Sequence, residues 1–211
     1  MDNTEALERR VTDSGDPNAL GILMSNYQER LSRVIRFRID PRLYSRIDPD
    51  DVLQEGFLEA TRRISEFREP TCQLPFFLWL RFIVLQKLTQ LHRHHLGVQA
   101  RDAARDIPLY HSAGNQATSV VLAAQLLGRV TSPSGAAIRE ENRRQLEDAL
   151  RQMEDIDREV LALRHFEQLS NSETANVLKL SQAAASNRYF RAVRRLKHIM
   201  EDFGDCDPQF R

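Results

Sequence analysis

Wherever this chain carries a pattern, its apolar residues recur at intervals of three and four, the repeat of one face of a helix, and no run alternates in the manner of a strand. The periodicity predicts an all-α protein. Asp16-Pro17 and Asp48-Pro49 each read as a helix start, a carboxylate N-cap followed by proline at the first helical position. The first of these begins a helix to about Ile39, preceded by a short helix over residues 4–12. In the second, Asp51 adds a carboxylate near the positive end of the helix dipole. Leu53, Phe57, Ala60, Ile64 and Phe67 then form one continuous stripe predicted to be buried. Asp51, Glu55, Glu59 and Arg62 lie on another face, which points to solvent or to a partner.

After a break over 69–75, the segment Phe76 to Leu91 is apolar on every side in its first half, as expected of a helix surrounded by its neighbours. Its second half turns polar and basic through Gln86, Lys87, Gln90, His92, Arg93, His94 and His95. From Gly97 to Ala137 the pattern dissolves into Gly, Ala, Ser, Thr and Pro, which predicts a linker longer than loops inside compact domains usually run. At 211 residues the chain is long enough for two small domains, and the expected organisation is 1–96, a linker over 97–137, a second domain over 138–200 and a frayed tail over 201–211. The second domain opens with one helix carrying Leu146, Ala149, Leu150 and Met153. Another begins near Asp155 or Asp157 and carries Val160, Leu161, Leu163 and Phe166.

The composition matters most near the C-terminus. Thirty basic and thirty acidic residues sum to zero, yet the charges are segregated. Acids outnumber bases between Glu140 and Leu178, whereas Lys179 to Lys197 holds Arg188, Arg191, Arg194 and Arg195 and no acid. Screening confines each patch to about 8–10 Å, so the local charge decides what the segment attracts. Ser170-Asn171-Ser172-Glu173 has the capping-box form and opens a short helix with Ala175, Val177 and Leu178 inward. Lys179-Leu180-Ser181 makes the turn, and a new helix runs from Gln182 to about Met200 with Ala185, Tyr189, Val193, Leu196 and Met200 as its buried stripe. Two short helices joined by a tight turn, the second one basic, form the helix-turn-helix outline that enters a DNA major groove. Ala183, Ala184 and Ala185 would let the backbone approach, with Ser186, Asn187 and Arg188 next in line for base edges or phosphates.

Several classes are excluded. The apolar run around Leu74 to Leu85 is interrupted by Arg81 and falls short of the roughly 18 residues of a membrane span, and Met1 to Glu5 lacks the basic flank of a secretory signal, so a cytoplasmic protein is expected. Cys72 and Cys206 form no metal or disulfide pattern. His92, His94 and His95 have no cysteine or acid at ligand spacing and read as a basic helix end. No nucleophile elbow, phosphate-cradling glycine loop or HExxH helix is present, so neither an enzyme nor a cofactor is expected.

At this point the sequence resembles a known family, the sigma-70 type transcription initiation factors of bacteria in their two-domain extracytoplasmic-function (ECF) form. Asp48-Pro49-Asp50-Asp51-Val52-Leu53-Gln54-Glu55-Gly56-Phe57 looks like the acidic stretch of the family's region 2, and Phe76-Phe77-Leu78-Trp79-Leu80 with Ile83 is similar to its aromatic motif. Arg158-Glu159-Val160-Leu161, Leu163 to Glu167 and Glu173-Thr174-Ala175 resemble region 4. Ser186 to Ala192 resembles versions common in planctomycete members. The chain departs from the pattern at Gln86, at Met153-Glu154 and at Lys179, where glycine is frequent.

The resemblance implies a division of labour. Asp51, Gln54 and Glu55 would bind the core polymerase; Phe76, Phe77, Trp79, Arg81 and Lys87, with the loop 69–75, would hold an unstacked base of the promoter's −10 element. The −35 element would be read by Gln182, Ala184, Ala185, Ser186, Asn187, Arg188, Arg191 and Arg195. An anti-sigma factor is a further partner it allows. On the residues alone, Trp79 and the phenylalanines also read as core, and the acidic face also reads as merely solvated. A helix-turn-helix regulator that binds duplex DNA without polymerase shares the C-terminal expectations.

Overall fold

The computed structural model describes residues 3–40, 43–96, 122–123 and 136–205, and all regular structure among them is helical. The chain divides into two compact units, residues 1–109 and 110–211.

The first unit holds α1 (Asn3–Ser14), α2 (Pro17–Arg38), α3 (Pro49–Arg62), α4 (Ile64–Arg68) and α5 (Phe76–Leu96). Both expected proline starts are present. Asp16 accepts from the backbone N–H groups of Asn18 and Ala19 at 2.8 and 3.3 Å, and Asp48 from that of Asp50 at 2.9 Å. Gly15, at φ +65°, takes the left-handed conformation that ends α1 and turns the chain into α2.

The single stripe expected through Phe67 is divided. Arg63 leaves helical geometry at φ −102° and ψ 13°, and its guanidinium bonds Glu66 at 2.9 and 2.8 Å and Gln86 Oε1 at 2.8 Å. The buried side of α3 is Val52, Leu53, Gly56 and Ala60, while Phe57 and Ile64 are only half-buried. Close helix packing explains the rotation: a Cβ on Gly56 would stand 2.7 Å from Val84 Cγ2 and 3.3 Å from Val84 Cα, so α3 approaches α5 on its smallest residue. α5 is the centre of this unit, with Phe76 to Leu80, Ile83, Val84 and Leu88 all buried.

The second unit holds α6 (Ala136–Gln152), α7 (Asp155–His165), α8 (Asn171–Leu178) and α9 (Gln182–Asp205). Leu146, Ala149, Leu150 and Met153 are buried, as are Val160 to Leu163, whereas Phe166 caps α7 and is half-buried. Arg158 is buried and donates to the carbonyls of Leu150, at 3.0 Å, and Met153, so a guanidinium satisfies the free end of α6. α9 continues through Glu201 to Asp205, where a frayed tail was expected; 206–211 lie outside the described residues, as does the linker apart from helical Leu122–Ala123 and the first turn of α6.

Candidate nucleic-acid interface

The helix-turn-helix is built from local chemistry. Glu173 N–H donates to Ser170 Oγ at 3.1 Å and Ser170 N–H to Glu173 Oε2 at 2.7 Å, which closes the capping box at the start of α8. Lys179 ends the helix at φ 54° and ψ 43°, a lysine held in the left-handed region, and Leu180 N–H reaches back to the Ala175 carbonyl at 2.9 Å. Ser181 Oγ then accepts from Ala184 N–H at 3.1 Å, and Asn171 Nδ2 donates to the Gln182 carbonyl at 2.9 Å, tying the two helix starts together.

The roll of α9 differs from the expected one by a residue. Ala185 and Ala192 are buried and Tyr189 and Leu196 half-buried, whereas Val193 is 41% exposed. Seven residues make two turns more closely than eight do, so Ala192 takes the inward place. Tyr189 pins this roll: its hydroxyl lies 3.1 Å from His165 Nε2 and the Arg164 guanidinium lies 5.6 Å from the centre of its ring. Ala185 is therefore packed against neighbouring helices and is not a groove contact. Ala184 and Ser186 are half-buried. The outward face carries Gln182, Ala183, Asn187, Phe190, Arg191 and Arg194, with Phe190 65% exposed. Arg191 and Arg194 form no ion pair among the described residues.

Arg188 and Arg195 turn the other way, towards the start of α7. Arg188 Nη1 lies 3.6 Å from Glu154 Oε2 and 3.4 Å from Asp157 Oδ1, and Arg195 Nη1 lies 3.4 Å from Glu154 Oε1 and 3.8 Å from Asp157 Oδ2. Both were expected at the DNA, and both are committed to acids within the unit. Burial pushes the Asp157 carboxyl above the usual carboxylate range, against the pull of Arg188.

In the first unit, Asp51 and Gln54 stand exposed on α3 beside Leu58, which is 60% exposed. Glu55 shares that face but is ion-paired with Lys87 Nζ at 2.7 Å, so one expected polymerase contact and one expected DNA contact neutralise each other. The four remaining DNA candidates are in the core: Phe76 and Arg81 are fully buried, Phe77 and Trp79 nearly so. Phe67 packs edge-on to Phe76 with ring centres 5.2 Å apart, Trp79 lies 5.3 Å from Phe67 and 5.7 Å from Phe76, and the Arg30 guanidinium covers Phe77 at 3.6 Å. Every ring face is taken by a neighbour, so none is open to a base in this conformation. The loop before α5 remains accessible through Glu69, Pro70, Thr71, Gln73 and Pro75.

Phe190 and Arg194 were not singled out as DNA contacts, and Ala183 was expected only to let the backbone approach. With Ala185 and Ala192 inward, the 3.6-residue repeat puts all three on the outer face, which a stripe through Val193 does not. Among the described residues no group of His, Cys, Asp and Glu could hold a metal, and His92 Nε2 instead accepts from the Asp40 N–H at 3.4 Å. No described helix is long and apolar enough to cross a membrane.

Residues 143–196 match the family model described as "Sigma-70, region 4", a span that contains α7, α8 and the outward face of α9. The chain is 27% identical over 197 residues to the ECF RNA polymerase sigma-E factor of Haemophilus influenzae, covering 93% of this chain and 95% of that protein. It is 28% identical over 208 residues to the RNA polymerase sigma-H factor of Pseudomonas aeruginosa, covering 95% of each. Among solved structures, CnrH in complex with the cytosolic domain of CnrY has a similar fold, with a TM-score of 0.52 and 24% identity over 95% of this chain and 99% of that one.

Proposed function

With the chain placed in the sigma-70 family, in its extracytoplasmic-function form, we propose the division of labour by which it acts. It is an RNA polymerase sigma factor, directing the core enzyme to specific promoters and initiating transcription there. It carries out no reaction of its own and works in the cytoplasm beside the polymerase.

The first unit docks on the polymerase through the outer face of α3, with Asp51 and Gln54 supplying polar contacts and Leu58 an apolar one. A charged rim around one exposed leucine suits a partner helix that is basic and amphipathic. The same unit engages the −10 element through the loop 69–75, while its aromatic residues serve as the core that holds that loop.

The second unit lays α9 in the −35 major groove. Gln182 and Asn187 offer amide hydrogen bonds suited to adenine, Arg191 and Arg194 reach guanine edges or phosphates, and Phe190 presents an apolar surface to a thymine methyl. What carries this reading is the division of α9 itself: alanines face inward, and an aromatic, cationic face, on which Arg191 and Arg194 form no ion pair among the described residues, faces out. Likeness to named sigma factors along nearly the whole chain favours this over a regulator that binds duplex DNA without polymerase.

Run-off transcription with purified bacterial core polymerase and a pool of promoter fragments tests the proposal. Specific transcripts should appear only when the protein is added. Asp51→Lys combined with Leu58→Asp should abolish both transcripts and co-elution with the core enzyme, with the circular dichroism spectrum unchanged. Duplex binding without co-elution or transcripts would instead establish the regulator.

A further inference from the structure

Two acids on α7 and two arginines on α9 form a compact lattice. Glu154 and Asp157 are three residues apart at the start of α7, and Arg188 and Arg195 are two turns apart on one side of α9, so each acid meets both bases. Asp157 is buried, its side chain only 5% exposed, and its Oδ1 accepts no hydrogen bond; Arg188 meets it as an ion pair. Glu154 sits at the N-cap position of α7 yet makes no capping bond to the helix, so its carboxylate is given over to the arginines.

We propose that Glu154 and Asp157 are positioning residues of the duplex interface, holding Arg188 and Arg195 in internal ion pairs and so withholding two cations from the phosphates. The inference rests on the reading of α9 as a duplex-binding helix. Phosphate attraction is blind to sequence, while base edges carry the information. A recognition helix with all of its arginines free would be attracted to any duplex. Here the acids pair directly with the two arginines that turn towards α7, while Arg191, which feels Asp157 only at longer range, and Arg194 are left with Asn187 and Phe190 to meet the groove. Burial of Asp157 keeps its pairs from being screened as those of the exposed Glu154 are, so phosphates do not readily displace Asp157.

The salt dependence of binding counts the cations engaged, since log K falls with log salt by about 0.9 per phosphate neutralised. The full-length protein would be titrated with sodium chloride on a random-sequence DNA duplex and followed by fluorescence anisotropy. Glu154→Gln combined with Asp157→Asn should bind more tightly and steepen the slope by about 1.8, one phosphate contact for each released arginine. Arg195→Gln, a change at a half-exposed side chain, should leave the slope as it is, and Arg191→Gln should flatten it by about 0.9. A loss of about 0.9 with Arg195→Gln, or an unchanged slope in a correctly folded double acid variant, would overturn the proposal while leaving duplex binding intact. Failure of the unaltered protein to bind DNA at any salt concentration would overturn the duplex-binding reading itself, and the positioning role with it.

Discussion

The two units solve the problem of a small helical core in opposite ways. The first is aromatic and apolar inside: Phe67, Phe76, Phe77 and Trp79 pack around α5, and among its described residues the buried charged side chains are Arg38 and Arg81. The second has a core of leucine, valine and alanine into which Glu147, Asp157, Arg158, Glu159 and Glu167 are folded. The difference extends to the surfaces proposed to meet DNA. The motif expected to read DNA in the first unit is its core, whereas the second shows the face proposed to read DNA to solvent, on a helix anchored by small residues. Phe67, Phe76, Phe77 and Trp79 are structural because their volume fills the core of the first unit. Phe190 shows the reverse case, an aromatic residue kept outside because Ala185 and Ala192 take the contact.

Truncating Phe76 is the strongest test of that contrast. As a fully buried ring packed against Tyr27, Phe67 and Trp79, Phe76→Ala should cost about 3–5 kcal/mol of stability, read from urea denaturation of the full chain by circular dichroism. If stability held and only capture of single-stranded −10 DNA were lost, the ring would be a surface platform and the contrast between the units would collapse.

Much of this arrangement is legible in the sequence where the cause is local. Asp16-Pro17, Asp48-Pro49 and the Ser170 capping box each depend on atoms within three residues, and each element starts where its signal stands. Other features have distant causes. The break at Arg63 is hidden by Ile64 and Phe67, which prolong the three-four spacing, and it is held by Gln86 on another helix. The rotation of α3 depends on Val84 meeting Gly56. The inward turn of Arg188 and Arg195 depends on acids about thirty to forty residues earlier. A basic helix in a sequence reads as basic on all its sides, and only the packing shows which charges are already paired.

The charged core of the second unit makes a smaller, pH-dependent prediction. Burial holds the Asp157 carboxyl above its ordinary value of 3.8, so its ionised form is disfavoured by folding despite Arg188 and Arg195. A group with a raised value contributes stability that is fully present below the unfolded value and is lost as the pH rises through the folded one. Asp157 should therefore add stability as the pH falls through its folded value, above 3.8, against the losses from Asp16 and Glu66, whose carboxyls Arg10 and Arg63 hold low. Asp157→Asn should remove that gain and cost little near neutrality. Urea midpoints of both proteins over a series of falling pH isolate the effect. Parallel curves would show that the ion pairs fully offset the burial, which would bring the cores of the two units closer in kind.

The smallest effect lies in the turns. The first unit enters the left-handed region at Gly15, where no Cβ opposes it, while the second does so at Gln168 and at Lys179, each at φ 54°. A side chain in that conformation costs about 1–2 kcal/mol, and glycine gives back about 0.4–1 kcal/mol through its freer unfolded chain. Lys179→Gly should thus raise stability by about 0.5–1 kcal/mol, seen as a small upward shift in the melting temperature. The substitution leaves the bond from Leu180 N–H to the Ala175 carbonyl in place, so the turn itself is retained. A lower melting temperature would mean that the lysine side chain makes up for its backbone, and that the helix-turn-helix is held by its turn residue as well as by the capping box at Ser170.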